Sequence, residues 1–331
     1  MVARMLLTPL LDATAPSIPL ILLAALALDA VLGEFGPVFR CLPHPAVLMG
    51  RAVSACERAC NRAGLSSAIL RWRGMLVVVA LVGLAAGIGL ALAGIARLTP
   101  WLWPLEALVA ATLLAQRSLY DHVKAVADEL DRDGLDGGRA AVAHIVGRDP
   151  MSLDRHGVGR AAVESLAENF SDAVVAPAFW YLLLGLPGIL AYKTINTLDS
   201  MIGHKTARYR DFGMIAARVD DVANLVPARL SGLWIALAAL PRGRCVAAIR
   251  SMLRDARTHR SPNAGWPEAA MAGALGVKLA GPRKYPDEIV DAPYIGPGSP
   301  DVAARDIRRA LRCFVGACLV NALAIALLIL A

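Results

Sequence analysis

The stretch MLVVVALVGLAAGIGLALAGIA, residues 75–96, decides the fold. It holds no charge and no proline. A helix needs about 20 apolar residues to cross the hydrocarbon core of a bilayer, so this run is long enough to span. CFVGACLVNALAIALLILA, residues 313–331, repeats the pattern near the other end of the chain. The residues between them do not dilute the signal: 57% of the 331 residues are hydrophobic and the mean hydropathy is +0.54. That composition lies well above the globular norm. It points to an integral membrane protein rather than to two soluble domains.

Two weaker runs, 18–32 and 98–115, each carry one acid, Asp29 and Glu106. A carboxylate at mid-membrane costs roughly 2.5–3.5 kcal/mol on insertion scales, so both acids are expected near an interface or against protein. Trp101 and Trp103 suit an interfacial turn between the second and third runs. The amino terminus has only Arg4 as a basic region and no small-residue cleavage site before Asp29, so it reads as a span and not as a cleaved leader. The six cysteines form no CxxC pair and read as small packing residues.

The net charge of +7 fits nucleic acid or membrane topology. Six Lys and Arg lie in 34–73 and twenty-six in 117–312, leaving only Arg4 and Arg97 elsewhere. With both rich segments on the cytoplasmic side, the positive-inside rule is met almost throughout. No nucleic-acid motif accompanies the charge, so no nucleic-acid partner is expected. The layout requires that 173–191, broken by Pro177, Gly185, Pro187 and Gly188, and the short run 230–240 dip into the membrane or lie along it. The expected fold is an all-α polytopic membrane protein of one domain, residues 1–331. About four transmembrane helices (18–32, 75–96, 98–115, 313–331) and re-entrant or interfacial helices surround a polar site on the cytoplasmic side, within 117–312.

Polar residues concentrate in that region. In ESLAENFSDAVVAPAFWYLLLG, residues 164–185, Glu164, Glu168 and Asp172 recur every fourth residue and share a helix face. YKTINTLDSMIGHK, residues 192–205, offers Lys193, Asn196, Asp199 and Lys205. RYRDFG and RVDDVAN add Arg208, Arg210, Asp211, Asp220 and Asp221. HRSPNAGWPEAAMAG, residues 259–273, adds Ser261, Asn263 and Glu268, and LPHPAVLMGR, residues 42–51, adds His44 and Arg51. Taken singly, each has a plain alternative: a solvated helix face, a cap, a turn. Taken together, carboxylates, amides and hydroxyls are hard oxygen ligands suited to Mg²⁺, which takes one or two carboxylates plus substrate phosphates. Interleaved Lys and Arg suit the phosphates. Lys205 does not belong to a P-loop, because GxxxxGK is absent. The segment 244–258, with Val246, Ile249, Leu253 and Ala256 at helical spacing among arginines, suits a helix lying on anionic lipid.

From about residue 26 to 285 these motifs, in this order, resemble the adenosylcobinamide-phosphate synthase family of cobalamin biosynthesis, the CobD/CbiB family. Asp29, Gly33 and Glu34 are similar to the family's opening, while Ala173 stands where the family usually has glycine. The resemblance implies an enzyme of the inner (cell) membrane, multi-pass, with its active site facing the cytoplasm. It implies ATP-dependent amide formation between a propionate carboxylate of adenosylcobyric acid and (R)-1-aminopropan-2-ol or its O-phosphate, with Mg²⁺. The partners it implies are the corrinoid, the amino alcohol and membrane lipid; a homo-oligomer or an assembly with other cobalamin-assembly membrane enzymes is left open. On this reading Glu168, Asp172, Asp199 and Asp221 hold Mg²⁺, and Lys193, Lys205, Arg208 and Arg210 neutralise phosphates. Glu164 or Glu268 takes the amine proton, Asn196, Ser261 and Asn263 line the nucleotide, and His44 and Arg51 bind a phosphate or the corrin edge. Two other readings compete: a Mg²⁺-dependent membrane phosphotransferase and a non-catalytic membrane scaffold.

Overall fold

The computed structural model describes residues 16–33, 39, 43–147, 149–284, 289–290 and 293–330. Helix α1 (Ile18–Leu32) coincides with the first apolar run and stops at Gly33, whose φ of 64° suits glycine. Asp29 is buried, as expected for an acid placed against protein. Helix α2 (Pro45–Cys60) starts where His44 Nδ1 accepts the Ala46 N–H at 3.1 Å. Helix α3 (Ser67–Leu98) contains the whole of 75–96 and begins at Ser66, whose hydroxyl accepts the Ile69 N–H. Its 32 residues reach about 48 Å at 1.5 Å per residue.

The expected continuous run 98–115 is broken. Helix α4 (Trp103–Ala111) has nine residues and follows a 3₁₀ turn at Pro100–Leu102. Pro100 lacks the amide hydrogen and the φ freedom to carry α3 onward. Glu106 accepts the Tyr181 hydroxyl at 2.7 Å, so it faces protein.

Helices α5 (Gln116–Arg132) and α6 (Gly134–Val142) follow, then α7 (Arg155–Phe170), capped by Asp154 on the Gly157 N–H at 2.5 Å. A π-turn, Ser171–Val175, joins α7 to α8 (Ala176–Leu184). Gly185, at φ 65°, turns the chain into α9 (Leu186–Ile202). The segment 173–191 is thus a helix, a glycine break and a second helix.

Helices α10 (Met214–Ala223), α11 (Leu225–Ala238), α12 (Cys245–Asp255) and α13 (Gly265–Leu275) come next, and α14 (Ala304–Leu330) ends the described chain. The run 230–240 lies mostly within the 14 residues of α11. Between α13 and α14, Leu279–Ala280 pairs antiparallel with Tyr294–Ile295, and Arg283–Lys284 with Ile289–Val290. Among the described residues α3 and α14 are long and apolar enough to cross a membrane; α1 and α11 are shorter apolar helices.

The chain divides into two compact units. The first comprises 1–115, 177–222 and 325–331; the second comprises 116–176 and 223–324. In the first, Val53, Val77, Val78, Leu198, Ile202, Phe212 and Ala216 form a core that joins α2, α3, α9 and α10. Glycines let α3 come close. An added Cβ at Gly74 would stand 1.9 Å from Phe212 O, and one at Gly89 would stand 2.5 Å from Pro187 Cα. In the second unit, Ala256, Ala269, Ala280 and Ile295 pack with Trp266, and Phe170 meets Phe314 edge to face at 5.6 Å.

Candidate active site

In the first unit the sequence builds a polar end to α9. Lys193, Asn196, Asp199 and Ser200 recur at three- and four-residue steps and fall on one stripe. The helix stops at Gly203, whose N–H donates to Asp199 O at 2.7 Å. A Cβ at 203 would stand 2.0 Å from Asp199 Oδ1, so the helix end closes over that carboxylate only because residue 203 is glycine. Gly213 plays the same part at the other end of the loop, where a Cβ would meet Ile202 O at 1.7 Å.

The loop between these glycines is pinned twice. Arg208 donates to Glu57 Oε1 from Nε at 2.9 Å and from Nη2 at 2.7 Å. Asn61 on the same side donates to Glu57 Oε1 and to Arg208 O, both at 3.1 Å. Asp211 accepts from Ser67 at 2.9 Å and from Arg71 Nε at 2.9 Å. Those two bonds, Ser67 first, hold the Asp211 carboxyl below the ordinary carboxylate range.

The clamped loop carries His204 and Lys205. Burial pushes the Asp199 carboxyl up, the Asp221 charge pushes it further, and His204 opposes both. Burial also raises Asp221, against the pull of Lys205. Asp199 thus feels the charge of Asp221, and Asp221 that of Lys205, three residues read from two separate motifs. Asp220, beside Asp221 on α10, is buried.

In the second unit the acidic stripe of α7 does not present one solvated face. Glu164 is buried, Glu168 is exposed and Asp172 is half-buried within the π-turn. Glu164 Oε1 accepts the N–H of Ala280, a residue held at φ 58°. The regularity of the four-residue spacing hides this, because each step drifts by about 40° around a helix. Glu268 is also buried and lies 3.6 Å from His259 Nε2. His259 Nδ1 accepts the Ser261 N–H at 3.0 Å. Ser261 Oγ in turn accepts the N–H groups of Asn263 and Ala264, both at 3.2 Å. SPNAGWPE is thus a hydroxyl-capped turn that leads into α13, with Asn263 buried inside it.

Arg210 and Arg51 are exposed. His44 caps α2 and meets the Phe39 ring edge-on at 4.4 Å. Among the described residues no three His, Cys, Asp or Glu side chains gather closely enough to hold a metal by themselves. Two carboxylates with a lysine beside them nonetheless match the donor set of Mg²⁺ carrying substrate phosphates.

The chain is similar to known proteins. A family model described as "CobD/Cbib protein" matches residues 22–314. The chain belongs to the CobD/CbiB family. That is the family its motifs resemble, the family of adenosylcobinamide-phosphate synthase. It is 52% identical to "Cobalamin biosynthesis protein CobD" of Brucella melitensis biotype 1 over 300 residues, covering 89% of this chain and 92% of that one. It is 52% identical to the protein of the same name from Rhizobium meliloti over 312 residues, with 93% and 95% covered. The protein of that name from Rhodobacter capsulatus is 47% identical over 296 residues, with 88% and 91% covered. No solved structure matches.

Within this CobD/CbiB chain, sequence reasoning missed Glu57, the buried partner of Arg208, and His259, the neighbour of Glu268. Glu57 had no signal, since ERAC ends an ordinary amphipathic helix. His259 had one: it stands two residues before the capping Ser261.

Proposed function

We propose that the chain joins a propionate carboxylate of adenosylcobyric acid to (R)-1-aminopropan-2-ol or its O-phosphate, in an ATP-driven ligation at the cytoplasmic face of the cell membrane. The observation that carries the site is the mutual influence of charges from the end of α9 to α10, Asp221 on Asp199 and Lys205 on Asp221. A carboxylate is a poor acyl donor because its leaving group is an oxide. Transfer of the γ-phosphoryl group from ATP to a carboxylate oxygen, releasing ADP, gives an acyl phosphate. The amine nitrogen then attacks the carbonyl carbon, and the C–O bond breaks to release phosphate.

Asp199 and Asp221 are the carboxylates we assign to Mg²⁺. Bound there, the ion supplies charge neutralisation to the transferring phosphoryl group. Lys205, with Lys193 and Arg210, balances phosphate charge, and Asn196 lies on the same stripe of α9 to orient the nucleotide. Arg208 is engaged by Glu57, so its part becomes that of a clamp on the loop that carries Lys205. The amine arrives as an ammonium ion and must lose a proton before attack. Glu268, beside His259, is the acceptor we assign. Glu164 already accepts the Ala280 N–H, and we assign it to holding that turn. Glu168 and Asp172, in the second unit, remain metal candidates, each tested by its own Asn or Gln variant.

Membrane insertion through α3 and α14 rests on their length and hydropathy. The test of the chemistry uses corrinoid labelled with ¹⁸O in the reacting carboxylate. The label is expected in the released phosphate. Unlabelled phosphate alongside labelled product would remove the acyl-phosphate step.

A further inference from the structure

In the second unit a cavity of about 410 Å³ opens among α5, the turn that follows α11 and the first turns of α14. Lys124, Arg242, Arg308 and Arg312 line it, with Tyr120, Leu311 and Val315. None of these residues belongs to the site described above. The cations are not equivalent. Arg308 reaches Asp131 at 2.7 Å and Asp128 at 3.0 Å, and Lys124 shares Asp128. Arg242 and Arg312 are exposed and have no ion-pair partner among the described residues.

The pocket's place in the chain says what would fill it. Arg312 is the last charged side chain of α14; from Cys313 onward the helix carries none. Val315, Leu319 and Leu323 follow at four-residue steps and are 43%, 67% and 60% exposed, so an apolar stripe runs away from the cationic pocket along one helix face. Leu240, in the same turn as Arg242, is exposed as well. Two guanidiniums lining one pocket where the apolar part of α14 begins, with an apolar track beside them, match a phosphodiester headgroup and its acyl chains. The volume suits a small ligand and not a macromolecule.

We propose that this pocket binds the headgroup of an anionic phospholipid, with Arg242 and Arg312 on the phosphate and the acyl chains along Val315, Leu319 and Leu323. The proposal rests on the reading of α14 as a membrane span.

The experiment titrates the detergent-purified full chain with dioctanoyl phosphatidylglycerol and follows both its unfolding temperature and the lipid adduct in native mass spectrometry. Saturable binding is expected, weakened roughly tenfold or more in R242Q/R312Q through loss of two charge-assisted contacts. An R242K/R312K variant should keep part of the effect. If the double glutamine variant unfolds early without lipid, R312Q alone is read in its place. Equal binding of phosphatidylcholine, an equal response to inorganic phosphate, or undiminished phosphatidylglycerol binding by the glutamine variants would each overturn the lipid site. Carbonate extraction of membranes is run in parallel. Release of the chain removes the span itself; retention without phosphatidylglycerol dependence removes only the lipid site.

Discussion

Arg208 places two guanidinium nitrogens on one oxygen of Glu57, at 2.9 and 2.7 Å, and that carboxylate is buried. The pair joins α2 to the loop that carries His204 and Lys205. Arg208→Ala would leave Glu57 buried with Asn61 alone, which disfavours the folded state. The variant should unfold at lower temperature than the wild type, and Glu57→Gln should share the defect. The double variant should be no worse than either single one, measured as a thermal double-mutant cycle in detergent. Strict additivity would show that the two residues act independently.

Asp199→Asn should reduce turnover by about 100-fold or more, because a preorganised charge at the phosphoryl-transfer step is removed. Asp221→Asn should reduce it in the same direction. The check is the single-turnover rate at saturating ATP; a rate within a factor of about two of wild type would remove Asp199 from the metal site.

The same residue gives a pH prediction of definite sign. Burial, then Asp221, raises the Asp199 carboxyl above its ordinary 3.8. The folded state therefore holds its proton to higher pH than the unfolded state does. Stability falls as pH rises from 3.8 through the folded value, and the ionised pair then works against the fold. Without Mg²⁺, Asp199→Asn should be more stable than wild type at neutral pH, and the gap should close in acid. Mg²⁺ with nucleotide should stabilise the wild type and leave the variant unchanged. Thermal unfolding across pH, with and without Mg²⁺, reads both effects. A variant less stable than wild type at neutral pH would contradict the picture.

Gly213→Ala should cost about 1–3 kcal/mol, the usual range for overpacking, since its Cβ would stand 1.7 Å from Ile202 O. Gly203→Ala should disturb the site more than the fold, because its Cβ meets Asp199 Oδ1, a side chain, at 2.0 Å. Comparing denaturation midpoints with turnover per folded molecule separates the two outcomes.

Glu164 and Glu268 should part company. Glu164→Gln keeps an oxygen for the Ala280 N–H and should retain most activity. Glu268→Gln removes the carboxylate that lies 3.6 Å from His259 Nε2 and should lose the proton-acceptor role. The pH profile of the amide-forming step is the readout. Equal losses in both variants would overturn the assignment.

Much of this fold was legible from apolar runs. The run 75–96 lies whole within α3, and the run from 313 lies in α14, because uncharged length alone dictates helix in a bilayer-like setting. The run 98–115 misled, since hydropathy does not register that Pro100 interrupts the hydrogen-bond ladder. The two-residue strands at Leu279–Ala280 and Tyr294–Ile295 are too short to show a period of two. Motif reading placed Asp199, Asp221 and Lys205 among the candidates, and in the fold Asp221 influences Asp199 while Lys205 influences Asp221. It did not foresee that Glu164 would be buried against a backbone amide, or that Glu57 would hold Arg208. Both contacts join residues more than a hundred positions apart, which spacing along the chain does not encode.

The most direct measurement incubates the detergent-purified chain with Mg-ATP, adenosylcobyric acid and either aminopropanol or its O-phosphate, and reads the corrinoid by mass spectrometry. The account predicts a product carrying the new amide arm, dependent on ATP, with one amine preferred. Folded protein that gives no product with either amine would contradict it.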